Sequence, residues 1–171
     1  LDEEKINNSE LLNYINILWV TPIMEKIMLQ SNSEKRSFFD RLNFNVNNNH
    51  LKNLSKLQRL LKERLSLLKK INYEQDWMHI LEHKIAEISF VIINDRMNFM
   101  KILNHQLSEI KKPFTSCLIE LVHELDSLGE FLDDKEKFVS KYSSALESKR
   151  ALDTELNKTT HTINKVNISI W

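Results

Sequence analysis

Gln75-Asp76-Trp77-Met78-His79-Ile80-Leu81-Glu82-His83-Lys84-Ile85, running on without proline or glycine to Lys111-Lys112-Pro113, decides the architecture of this chain. Within it Trp77, Leu81, Ile85, Ile88, Ile92, Phe99, Leu103, Leu107 and Ile110 recur at spacings of three, four or their sum. That is the period of one apolar stripe on a helix. The spacing predicts a helix from Gln75 or Asp76 to about Lys111, stopped by Pro113, which lacks the N–H a helix interior needs. At 1.5 Å per residue such a helix extends roughly 50 Å. Its stripe needs a partner, and residues 51–71 supply one. Leu54, Leu57, Leu61, Leu65 and Leu68 share a face, and Lys52, Lys56, Arg59 and Lys70 lie opposite. The two segments predict a long antiparallel, coiled-coil-like hairpin that reads as an arm, with Trp77 as one of its core anchors.

Outward from the hairpin the elements are shorter. Before it, Tyr14 to Val20 is β-prone and stops at Thr21-Pro22, where Thr21 caps a helix over 23–29 and Pro22 takes its first position. Ser31 and Glu34 have capping-box spacing for a helix over 34–42, with Phe38 and Leu42 on one side and Lys35, Arg36 and Arg41 around the rest. After it, Cys117, Ile119 and Leu121 alternate with Leu118, Glu120 and Val122 as in a strand, with Cys117 a buried thiol. Residues 133–156 return to helix, with Phe138, Tyr142, Ala145, Leu146, Leu152 and Leu156 inward. The tail from Lys165 to Trp171 alternates again, as a strand whose pairing partner lies in a part not present here. The expected fold is mainly α with a few short strands.

Charge is balanced overall but unevenly placed. Between Glu34 and Lys70 ten basic residues meet three acids, whereas between Leu118 and Phe138 seven acids meet two lysines. Such asymmetry speaks to surfaces and partners. Cys117 is the only cysteine, which excludes an internal disulfide and fits a reducing, cytoplasmic setting. No stretch has the roughly 20 apolar residues that span a bilayer, so no membrane is expected. Gly129 is the only glycine, so a Gly-rich phosphate loop or dinucleotide fingerprint cannot form. The first residue is not Met, as expected of a piece of something longer.

One string matches a catalytic signature. His79-Ile80-Leu81-Glu82-His83 has the H-x-x-E-H spacing that places two imidazoles one helical turn apart beside a carboxylate, as in inverted zinc proteases. It lies inside the seam helix, and a third ligand is only loosely available from Glu147 or Glu155, so chance is the better reading and no metal is expected. His161 has no nucleophile or orienting acid at a recognisable spacing. No catalytic residue is expected.

The stretch Trp19-Val20-Thr21-Pro22, Gln30-Ser31-Asn32-Ser33, Lys35-Arg36-Ser37-Phe38-Phe39-Asp40 resembles the RecF family, bacterial recombination proteins built on an ABC-type ATPase head. In that family a strand ending in Thr-Pro or Ser-Pro leads to a helix, and a small-residue stretch precedes two basic residues and Phe-Leu-Asp. Leu57-Gln58-Arg59-Leu60-Leu61-Lys62-Glu63-Arg64 is similar to the family's arm helix, with Leu65 where the family has Asn. The Trp77 helix, the Pro113-Phe114 strand and the helix from Tyr142 to Asp153 follow in the family's order. Thr162-Ile163-Asn164-Lys165-Val166-Asn167 falls where the family has a Gly-Pro-His-Lys turn with a following Asp, and keeps only Lys165.

The resemblance implies a middle portion: a remnant of the ATPase head over 1–22, a helical arm over 23–112, a strand and helix closing the lobe over 113–158, and a return strand toward the head over 159–171. It implies a full-length protein that binds ATP and Mg, dimerises through its complete head, grips single-strand/double-strand DNA junctions and assists RecA loading with RecO- and RecR-type mediators. The Walker A, signature and Walker B motifs are not in this stretch, so no ATPase activity is expected of it alone. Lys35, Arg36, Arg41, Lys52, Lys56, Arg59, Lys62 and Lys70 become the expected phosphate contacts. A helical interaction module that never touches DNA, and a relic of a decayed gene, stay open beside this reading.

Overall fold

A computed structural model describes residues 21–70, 72–113, 115–123 and 132–171. The strand expected over 14–20 lies outside them. A short 3-10 helix, Pro22–Leu29, carries Pro22 at its start and kinks at Lys26. It is followed by α1 (Asn32–Phe44), α2 (His50–Leu68), α3 (Gln75–Ser108), β1 (Ile119–His123), α4 (Lys135–Ser148), α5 (Arg150–Glu155) and β2 (Val166–Ile170).

Local chemistry sets the ends of these helices. The Ser31 Oγ accepts from the Glu34 N–H, and the Glu34 carboxylate takes the Ser31 N–H in return, so the expected capping box starts α1. The hydroxyl and backbone of Ser31 hold the Glu34 carboxyl below its ordinary range. Asp134 caps α4 by accepting from the Lys137 N–H. The hairpin of α2 and α3 is present, and α4 packs along α3 as extensively as α2 does. The periodicity named the hairpin and a helix over 133–156 but not the packing of that helix along α3, because a seam does not count its neighbours.

Two apolar clusters follow. The larger joins Leu57 and Leu60 of α2, Leu81, Ile85, Ile92 and Ile93 of α3, Phe138, Tyr142 and Leu146 of α4, and Ile163. Phe138 and Tyr142 stack with centroids 5.5 Å apart. Each fully enclosed side chain of this size contributes about 1.5–3 kcal/mol. Burial pushes the Tyr142 hydroxyl up to about 12, and it donates to the His161 carbonyl at 3.3 Å. The smaller cluster joins Phe39, Phe99, Met100, Ile119 and Ile168.

Several expectations change. Trp77 is 40% exposed and carries the Lys84 ammonium over its ring, so it is not a core anchor. Ile110 lies beyond the end of α3 and is exposed. The helix expected over 133–156 breaks at Lys149. The break turns Leu152 and Leu156 outward and Asp153 inward, because buried Arg64 needs a carboxylate there. Cys117 is half-buried rather than enclosed. β2 finds its partner within the chain. It pairs antiparallel with β1, with Ile119 opposite Ile170 and Leu121 opposite Ile168. Asn104 of α3 holds this ribbon down. Its amide donates to the Ile119 carbonyl and accepts from the Ile119 N–H, both at 2.8 Å.

Candidate nucleic-acid interface

α2 is an amphipathic helix whose inner stripe contains an arginine. Leu57, Leu60, Arg64 and Leu68 are its buried residues beside His50, while Lys52, Lys56, Arg59 and Lys62 point to solvent. At the corner where α1 hands over to α2, Phe44, Leu51, Lys52, Ser55, Lys56 and Arg59 line an open groove of about 600 Å³. No acid lines it, and among the described residues none of its three cations has an ion-pair partner. From Lys52 to Arg59 the helix rises about 10 Å, and Lys70 lies just past its end at Leu68.

The other candidates from α1 are placed differently. Arg41 is exposed and Lys35 half-buried. The Arg36 guanidinium is half-buried and donates to the Asn164 carbonyl and, at 3.2 Å, to the Ser33 hydroxyl. Burial first, and the neighbouring Arg96 charge second, lower its proton affinity. Asn32 also donates to the Asn167 side chain. The segment over 162–167 therefore ties down the start of α1, Asn164 through its backbone carbonyl and Asn167 through its side chain.

Beneath the basic face lie two buried ion networks. Arg64, fully enclosed, donates through Nε to Glu82 at 2.9 Å, through Nη1 to Asp153 at 2.6 Å and through Nη2 to the Leu146 carbonyl at 2.7 Å. Glu82 also receives Arg150 at 2.6 Å, and Asp153 accepts from both the N–H and the hydroxyl of Thr160 at 2.7 Å. Hydrogen bonding to Glu82, against partial burial, raises the Arg150 pKa. In the second network Arg96 grips Asp40 with two bonds of 2.8 Å and donates to the Ile163 carbonyl at 3.1 Å. The His50 ring lies 2.9 Å from Asp40 and 3.4 Å from Asp95. Burial alone would raise the Asp40 carboxyl, but His50 and Arg96 outweigh it and hold the group at about 2.

These networks cross elements far apart in sequence, and reading the sequence did not find them. A signal was available: Arg64 is in phase with Leu57 and Leu60, and Glu82 and Arg96 are in phase with Met78, Ile85, Ile92 and Phe99. A charge on the apolar stripe of a helix is costly unless paired inside. The same pairing engages the carboxylate of the H-x-x-E-H string. Glu82 is occupied by two arginines, His79 lies 3.7 Å from Glu147, and among the described residues no group of three histidines, cysteines or acids could hold a metal. No described helix is long and apolar enough to cross a membrane.

Fold and surface together define a helical lobe whose second helix lines a cationic groove with no acid in its lining. No family model matches the chain. Its similarities are to RecF proteins. The DNA replication and repair protein RecF of Rickettsia felis is 29% identical over 166 residues, 96% of this chain and 44% of that protein. RecF of Rickettsia bellii is 26% identical over 164 residues, 96% of this chain and 45% of that protein. The chain thus spans a little under half the length of these relatives. Among solved structures, the recombination mediator protein RecF with ATP, of the RecFOR pathway, superposes with a TM-score of 0.75 at 24% identity, over 89% of this chain and 42% of that one. That likeness establishes the fold, a helical lobe matching part of RecF.

Proposed function

We propose that this chain is the helical lobe of a RecF-like DNA replication and repair protein, and that its α2 face contacts DNA phosphates. One observation carries the reading: Lys52, Lys56 and Arg59 share a groove with no acid to neutralise them. Lys62 extends the track along the helix, Lys70 lies just past its end, and Arg41 and Lys35 add to it from α1. Arg36, already bonded to Asn164, contributes charge more than a free donor. Such contacts are independent of sequence and release counterions, so affinity falls steeply with salt. In the complete protein the lobe would sit on an ATP- and Mg-binding head that dimerises, at single-strand/double-strand junctions, with RecO- and RecR-type partners and RecA loading as the outcome, in the cytoplasm. By itself the lobe turns over no ATP.

The test is a titration of gapped duplex at two salt concentrations, read by fluorescence anisotropy. Tight binding at low salt should collapse at high salt. Arg59→Glu with Lys62→Glu should weaken it and flatten the salt slope by about one for each phosphate no longer neutralised. Salt-insensitive binding, or variants that bind as tightly as the parent, would remove DNA from the reading. A protein-docking module is the alternative then favoured, because Trp77, Ile80, Val91 and Ile102 lie exposed on α3.

A further inference from the structure

We infer that the groove at the α1–α2 corner seats an unpaired base of single-stranded nucleic acid, with Phe44 as the stacking surface. This rests on the reading of α2 as a phosphate-contacting helix and adds to it a site and a strand preference. Beside the neutral Asn48 and Ser55, the lining supplies two chemical kinds of surface. Phe44, the last residue of α1, and Leu51, in the first turn of α2, supply apolar surface, and both are only half-buried. Lys52, Lys56 and Arg59 supply charge along a helix face, and all three are exposed.

A duplex backbone alone would need only the cations. An aromatic side chain lining an acid-free cationic groove matches a strand whose phosphates run along the lysines while a base turns inward. Stacking on an aromatic ring is indifferent to base identity, because every base has a π-face. The groove volume of about 600 Å³ leaves room for a base beside the helix. Phe44 is also free of competing ring partners among the described residues, whereas Phe38 and Phe39 are committed to each other at 5.4 Å and Phe90 to Phe138. The preference follows from the asymmetry of the two contacts. Phosphate neutralisation serves single and double strands alike, but a paired base cannot leave its stack without cost. Phe44 therefore adds affinity for unpaired strands only.

The experiment compares labelled oligo-dT with a blunt duplex of equal length, each titrated with the full chain, with Phe44→Leu and with Phe44→Trp. Leucine keeps apolar bulk at the corner, and thermal melting checks that both variants fold. Phe44→Leu should weaken oligo-dT binding by about 5- to 150-fold, the range expected for one stacked base, while leaving the salt slope unchanged. Phe44→Trp should hold or tighten it. Neither should alter duplex affinity. Equal loss on both probes, or no loss on oligo-dT, overturns the inference while a salt-dependent duplex affinity leaves the phosphate reading standing. Binding of neither probe at low salt overturns both.

Discussion

Replacing Arg64 by Met tests the account of the buried network more sharply than any surface change. Arg64 is fully enclosed and serves three acceptors: Glu82, Asp153 and the Leu146 carbonyl. Methionine fills similar space but leaves those acceptors without their donor. Their positions are not equivalent. Glu82 keeps Arg150 at 2.6 Å, so its charge stays compensated. Asp153 keeps only the neutral donors of Thr160, and it is fully buried. Removing one member of a buried pair costs about 3–5 kcal/mol, most of it the stranded charge. For a chain of this size that lowers the melting temperature by about 6–20 °C. Adding Asp153→Asn removes the stranded charge, so R64M/D153N should melt well above R64M. Adding Glu82→Gln instead should not help, because it leaves Asp153 stranded and takes from Arg150 its closest carboxylate, leaving it Glu147 at 3.5 Å. The assay is urea and thermal unfolding followed by circular dichroism. An R64M protein within about 1 kcal/mol of the parent would refute the reasoning, as would a double variant no more stable than R64M.

Three further outcomes follow from named interactions. Asp40 sits at about 2 against an ordinary 3.8, so its contribution of about 2 kcal/mol is present above pH 4 and lost as pH falls toward 2. Unfolding midpoints measured through that window should fall for the parent and stay flatter for Asp40→Asn, which begins less stable at neutral pH. Asn104→Ala strips both bonds from Ile119 and should cost about 1–3 kcal/mol, with hydrogen exchange at the Ile119 amide accelerating more than at Leu57. Ser31→Ala removes the α1 cap and should cost about 1 kcal/mol in urea unfolding.

The hairpin was legible because period and length are local properties. Leu57, Leu61 and Leu68 on one side, with Lys52, Lys56 and Arg59 opposite, already state which way α2 faces. The capping box at Ser31 and Glu34 was legible for the same reason, since both partners lie within one turn. The strand pairing was not. Alternation in 117–122 and 165–171 says that each is a strand, but nothing local says that they pair with each other rather than with segments elsewhere. The cationic groove was half legible: its charges were named, but Phe44 entered only when α1 ended beside α2.

The sequence by itself determined the helical hairpin, the capped basic start of α1 and the side of α2 that carries charge, because each follows from spacings within a few residues. Only the tertiary structure decided that Arg64 and Arg96 are interior clamps, that Lys149 breaks the last long helix and that Trp77 faces water. Those outcomes depend on partners such as Asp153, 89 residues from Arg64, and Asp40, 56 residues from Arg96. A charge's place is set by what can compensate it, and for a buried arginine that compensation comes from parts of the chain that no local period connects.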